Sequence, residues 1–261
     1  MITLKIYHIN AFANGPFSGN PAAVIPLDFW ISDEIMQQIA AQNNLSETAF
    51  FVKNSEGFHI RWFTPKAEVA LCGHATLASA FVLFEILKIQ NDTIVFESKS
   101  GPLFVNKIGS KINLNFPSQS LEQIDPVLDL EEGLGHSSLK TYKAGDDILL
   151  IYPNEQIIAE LSPDFGLLAK VNVRGIIVSS ISDNYDFVCR FFAPKVGINE
   201  DPVTGSAFTK LIPYWSNVLN KMQMNACQIS ERRGDVSCEL LGDRVLIGGL
   251  ANCYLIGEVF V

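Results

Sequence analysis

The residues best suited to acid–base chemistry stand in two short stretches, Leu45-Ser46-Glu47 and Ala70-Leu71-Cys72-Gly73-His74. In the second, a thiol, a flexible glycine and an imidazole meet where a helix is expected to begin. Amide N–H groups point outward from such an end and can hold a carboxylate without a metal. Glu47 lies between two apolar runs, 35–45 and 49–52, surroundings that would desolvate its carboxylate and raise its pKa toward a general-base value. Taken alone, a glutamate in a loop is more often a solvated charge. His74 titrates near neutrality and can pass a proton or orient a substrate, or it can simply cap a helix.

The surrounding pattern predicts what positions these groups. Alternation over Leu4, Ile6 and His8 marks a first strand. After the turn-rich segment 14–21, Ala22–Ile25 reads as a second. Ser32 is placed to cap a helix whose Ile35, Met36, Ile39 and Ala40 share a face. A strand over 48–52 follows Glu47, another runs over 57–63, and the apolar segment 77–87 follows His74.

The second half repeats this order. Ser162-Pro163-Asp164 reads as a helix start, with Ser162 as cap. Arg61-Trp62-Phe63-Thr64-Pro65-Lys66 matches Arg190-Phe191-Phe192-Ala193-Pro194-Lys195 at four of six positions, an offset of 190 − 61 = 129 residues. Self-similarity at half the chain length predicts two copies of one unit. The same offset sets Cys72 against Asp201, inside Glu200-Asp201-Pro202-Val203-Thr204-Gly205-Ser206-Ala207. Asp201 also reads as a helix cap followed by proline. The helix beyond it should bury Phe208, Leu211, Ile212, Trp215, Val218 and Leu219, with Pro213 kinking or splitting it. Two halves that each bring a polar helix start to the same point predict a site in a cleft between them. The boundaries expected are 1–116 for the first half and 117–250 for the second, with the last strand, about 251–261, returning to the first.

Composition narrows the classes. A net charge of −9 over 261 residues argues against nucleic-acid binding, which relies on Lys and Arg against phosphate. It leaves a small anionic metabolite possible, because local amides can outweigh a global charge. Met1–Tyr7 reads as a strand and lacks the form of a targeting leader, and no apolar run approaches membrane-spanning length. The five cysteines (72, 189, 227, 238 and 253) form no C-x-x-C pair and the four histidines are scattered, so thiols in a cytoplasmic protein are expected and no metal. His8, His59 and His136 carry no motif. No glycine-rich nucleotide loop follows a strand, and no cofactor is expected.

Gly19-Asn20-Pro21, Leu45-Ser46-Glu47-Thr48-Ala49-Phe50-Phe51, Cys72-Gly73-His74-Ala75-Thr76 and the stretch from Glu200 to Ala207 resemble, in order and spacing, the motifs of the PhzF family of phenazine-biosynthesis-like isomerases and epimerases. The resemblance spans essentially the whole chain. It implies an α+β, diaminopimelate-epimerase-like fold of two similar domains, each a mainly antiparallel sheet or barrel around a central helix. It also implies that Glu47 moves the proton, that His74 and Asp201 flank the substrate, and that Gly73, Gly205 and Ser206 present amides to its carboxylate. Cys72, Ser46 and Asn20 are expected to line the site. Two-thiol racemases of this fold use one cysteine from each half, at the positions of Cys72 and Asp201, and only one thiol is present here.

The expectation is therefore a cytoplasmic, cofactor-independent isomerase of a small carboxylate-bearing metabolite, a homodimer by family habit. A two-base amino-acid epimerase or racemase is the first alternative. A ligand-binding protein without turnover is the second.

Overall fold

In the computed structural model, which describes residues 2–261, the chain forms two compact units, residues up to Phe116 together with Ile247–Val261, and Pro117–Leu246. It rejoins the first unit at Ile247, four residues ahead of the expected Ala251. The first unit runs β1 (Thr3–Ala11), β2 (Asn20–Leu27), α1 (Asp33–Asn43), β3 (Glu47–Lys53), β4 (Phe58–Phe63), β5 (Glu68–Val69), α2 (Gly73–Phe81), β6 (Thr93–Ser98), β7 (Gly101–Ile108) and β8 (Lys111–Pro117). The second runs β9 (Glu122–Ile124), α3 (Leu128–Leu134), β10 (Lys140–Ala144), β11 (Asp147–Ile151), α4 (Glu155–Glu160), α5 (Phe165–Leu168), β12 (Gly175–Ile181), β13 (Phe187–Phe192), α6 (Gly205–Leu219), β14 (Gln223–Gln228) and β15 (Gly234–Leu241). β16 (Arg244–Gly249) leads back, and β17 (Ala251–Phe260) pairs antiparallel with β1.

The repeat extends to strand pairing. β2 pairs parallel with β3, β3 antiparallel with β4, β4 parallel with β6, and β6 antiparallel with β7. β11, β12, β13, β14 and β15 pair in the same alternation. In each unit one helix connects the third and fourth strands of this series: α2 in the first and α6 in the second. Every residue of α2 from His74 to Ala80 is buried, as expected of a helix enclosed by a sheet rather than laid on one. This is the diaminopimelate-epimerase-like α+β fold.

Local chemistry explains most element ends. The Ser32 hydroxyl accepts from the Ile35 amide at 3.3 Å, and Asn44 closes α1 in the left-handed conformation. The second unit departs from expectation at three places. Asp164, not Ser162, is the cap, accepting from Gly166 and Leu167 amides, and the helix it starts is a single turn. The longer helix just before it, α4, is capped by Asn154, whose side chain accepts from the Ile157 amide. Pro213 neither splits nor ends α6. Its missing N–H leaves the Thr209 carbonyl to be satisfied elsewhere, and the Gln119 amide donates to that oxygen at 2.9 Å. Val218 is exposed rather than in the buried stripe, while Lys210 is buried within it.

The two arginines of the repeated hexapeptide do the same work. Arg61 donates from Nε and Nη2 to both oxygens of Glu68 at 2.8 and 2.9 Å, and Arg190 does so to Glu200 at the same distances. Each guanidinium also lies over a phenylalanine two residues on, Phe63 or Phe192. The clamps locate an insertion. Glu68 follows Arg61 by seven residues and Glu200 follows Arg190 by ten, so the offset grows from 129 to 200 − 68 = 132. The helix starts obey it, since 205 − 73 = 132. By helix position the counterpart of Cys72 is therefore Thr204, not Asp201.

Among the described residues no helix is long and apolar enough to cross a membrane.

Candidate active site

Three segments of the first unit bring Asn20, Glu47, Cys72 and His74 together. Gly19 turns the chain into β2 with φ at +76°, and a Cβ there would fall 2.3 Å from the Ala11 carbonyl oxygen, so only glycine fits. Asn20 then opens β2, fully buried. β3 runs parallel beside it with Glu47 paired to Ala22, so both polar residues lie at the same end of adjacent strands. α2 begins at that end too. Its cap residue, Cys72, is extended and makes no side-chain bond to the first amides of the helix, which leaves the Gly73 N–H among the unconsumed ones.

His74 is the centre of the cluster. Its Nδ1 stands 3.2 Å from Asn20 Nδ2 and 3.5 Å from Cys72 Sγ, and its Nε2 stands 3.2 Å from Glu47 Oε2. Burial pushes the imidazole down to about 3, so it is neutral near pH 7 even beside a carboxylate. With the asparagine amide donating to Nδ1, the ring proton sits on Nε2 and faces Glu47. The Nε2–Oε2 approach lacks hydrogen-bond alignment, as catalytic contacts often do before substrate arrives. Glu47 keeps 13% of its side chain exposed against 6% for His74, so the carboxylate is the more accessible of the two. Ser46 is half-buried beside it. One donor atom each from Glu47, Cys72 and His74 lie within 4.8 Å of one another, close enough to share a metal ion.

The matching stretch of the second unit is built differently. Thr204 caps α6, again without a side-chain bond to the first amides, leaving those of Gly205 and Ser206 available. Asp201 is not the cap. Its carboxylate accepts from Thr204 Oγ1 at 2.5 Å, and its carbonyl accepts from Gln228 Nε2 at 2.6 Å. Gln228 is fully buried and also accepts from the Thr204 amide at 2.8 Å, so one side chain ties the loop at both ends.

Behind Ser206 lies an ionic group that sequence reasoning missed. Asp147, with no exposed surface, accepts from Lys210 Nζ at 2.8 Å and from Arg174 Nη2 at 2.5 Å. Lys210 also donates to the Ser206 carbonyl at 3.1 Å, and Arg174 to its hydroxyl at 3.3 Å. Burial pulls the Lys210 ammonium below its ordinary value, with Asp147 opposing. A lone lysine in an otherwise apolar helical stripe was the available signal. Its partner could not be read, because Asp147 is 63 residues away.

The chain matches the family of phenazine biosynthesis-like proteins over residues 9–254. It is 46% identical over 256 residues to an uncharacterized isomerase of Pseudomonas aeruginosa, covering 98% of each chain. The crystal structure of a PhzF-family phenazine biosynthesis protein from Enterococcus faecalis superposes with a TM-score of 0.97 at 44% identity, covering all of both chains. A hydroxyproline epimerase from Agrobacterium vitis, solved with trans-4-hydroxy-L-proline, shares the fold at a TM-score of 0.65 and 10% identity, over 98% of this chain and 92% of that one.

Proposed function

This chain belongs to the phenazine biosynthesis-like family and is an isomerase, and from that premise we propose that it moves a proton on a small carboxylate-bearing metabolite by general acid–base catalysis without a cofactor. The observation that carries this reading is the Glu47–His74 contact: a carboxylate largely buried but still reached by solvent, 3.2 Å from a buried, neutral imidazole fixed by Asn20.

Glu47 is assigned as the base. It takes a proton from a carbon next to an electron-withdrawing group, and the C–H electron pair moves into conjugation. Glu47, partly exposed, exchanges that proton with solvent and returns one to another carbon, leaving atoms and charge unchanged. The Nε2–H of His74, 3.2 Å from the carboxylate, comes into alignment with it when substrate binds and steadies its charge between the two transfers. Amides at uncapped helix starts favour the negative charge that develops on the substrate. Gly73, and in the second unit Gly205 and Ser206, are assigned that task, and Asp201 an assisting one. Cys72 lines the pocket.

The two-base epimerase remains the second reading, favoured by the fold shared with the hydroxyproline epimerase. A two-thiol mechanism is poorly served here, because the helix-start counterpart of Cys72 is Thr204, whose hydroxyl is far too weak an acid for the role. A panel of small carboxylates, screened by thermal shift and followed by turnover in deuterated water, tests the proposal. Deuterium incorporated at a new carbon, and lost in Glu47→Gln, is the expected result. Deuterium at an inverted stereocentre would favour epimerisation, and full turnover by Glu47→Gln would overturn the assignment of the base. A carboxylate that stabilises the protein yet is recovered without deuterium would instead mark a binding protein.

A further inference from the structure

The thiol of Cys72 takes no part in the proton transfer just proposed, yet it belongs to a close group of three unlike donor atoms. Its Sγ lies 3.5 Å from the His74 ring, Glu47 Oε2 lies 3.2 Å from Nε2 of the same ring, and one donor atom from each residue falls within 4.8 Å of the other two. Donors around a tetrahedral zinc ion, with bonds of about 2.0–2.3 Å, stand roughly 3.3–3.8 Å apart. Oε2 and Nε2 are already near that spacing, while Sγ, whose 3.5 Å contact is with Nδ1, turns about its Cα–Cβ bond to join them.

Ligand type narrows the ion. A thiolate, an imidazole and a carboxylate form the mixed sulfur, nitrogen and oxygen set that zinc accepts, whereas calcium and magnesium require oxygen. Asn20, at 3.2 Å from Nδ1, stands where an outer partner would hold the ring, its amide turned so that Oδ1 accepts from Nδ1–H and the Nε2 lone pair faces the ion. Three protein ligands leave the fourth position to solvent.

We propose that Glu47, Cys72 and His74 form a zinc site through Oε2, Sγ and Nε2, and that the bound ion turns the isomerase off. Binding forms three protein–zinc bonds: the thiol proton leaves to solvent, and the Nε2 proton is exchanged through solvent for one on Nδ1, which frees the Nε2 lone pair for the ion. The ion occupies the Glu47 lone pair needed to accept a substrate proton, so zinc and turnover exclude each other. This blocking role rests on Glu47 being the base, whereas the metal site itself does not.

The full chain, reduced and stripped with a chelator, is titrated with cobalt(II) alone and followed by absorbance. One cobalt per chain is expected, with a thiolate-to-cobalt charge-transfer band in the near ultraviolet and intense visible bands of tetrahedral geometry, displaced by zinc. Cys72→Ser should lose the charge-transfer band while binding cobalt more weakly. Cys253→Ser, which removes the exposed cysteine, should keep it. No such band in the unaltered chain, or a band that survives in Cys72→Ser, overturns the site. For the blocking role, one equivalent of zinc should stop deuterium incorporation into a turned-over carboxylate and a chelator should restore it. Full incorporation by zinc-loaded protein overturns that role. Should Glu47→Gln retain turnover while the cobalt band behaves as stated, the base assignment fails and the metal site stands.

Discussion

The starts of α2 and α6 occupy the same place in two copies of one unit, yet one is electrically quiet and the other is ionic. At α2 a buried imidazole is kept neutral by desolvation, and its neighbours are an amide, a thiol and a single carboxylate. At α6 the backbone of Ser206 rests on a buried lysine shared with a fully buried aspartate and an arginine. Burying charge is costly unless every partner is present, so the second arrangement holds its geometry firmly. The first leaves a carboxylate partly exposed beside a neutral donor, which suits a group that must gain and lose a proton at each turnover. The duplicated scaffold thus carries a neutral helix start in one half and an ionically fixed one in the other.

The widest test of that division is catalytic. Glu47→Gln should lower turnover of an identified substrate by about 100- to 10,000-fold, the usual contribution of a positioned base. Asp201→Asn in the fixed half should cost roughly tenfold, the value of one hydrogen bond. Equal losses would erase the distinction.

The next test concerns stability. Lys210→Met removes one partner of a buried pair and should destabilise the chain by about 3–5 kcal/mol in denaturant unfolding. His74→Gln, which replaces a neutral group, should cost much less. A small loss for Lys210→Met would show that the ionic group is not holding α6.

The clamps common to both halves offer a control. Arg61→Lys and Arg190→Lys each lose a two-pronged grip on a glutamate and a ring contact. Each should cost about 1.5–3 kcal/mol, the Arg190 loss being the larger because its Nη1 also serves the Ile158 and Leu161 carbonyls where that of Arg61 reaches the exposed Asp33. A much larger loss at Arg61 would mean that the halves diverge well beyond their helix starts.

The last test is a slope with pH. The His74 pKa is about 3 in the fold and near 6.5 when the chain unfolds, so the unfolded state binds the extra proton in between. Stability contributed by the neutral imidazole is complete above pH 6.5 and declines as pH falls toward 3, by up to about 1.4 kcal/mol per unit. Comparing unfolding of the unaltered chain with His74→Gln isolates that component. Identical slopes would mean that the ring is not held neutral.

Much of this architecture could be read before any coordinates. Ser32 as cap, the buried face of α1, the polar starts of α2 and α6 and the repeat itself follow from spacing along the chain, because each depends on neighbours within a few residues or on plain self-similarity. The errors came where distant residues decide. Pro213 was expected to break α6, but an amide 90 residues earlier, at Gln119, takes the orphaned carbonyl of Thr209. Asp201 was matched to Cys72 because the three extra residues before Glu200 become visible only when the two arginine clamps are seen formed.

The sequence by itself determined which residues could do chemistry and which local elements would carry them. Only the tertiary structure decided that Asn20, Glu47, Cys72 and His74 lie in one cluster and that Asp147 and Lys210 form a buried pair. The physical reason is that desolvation and hydrogen bonding act over a few ångströms in space. A residue's neighbours there, unlike its neighbours along the chain, exist only after the strands have paired.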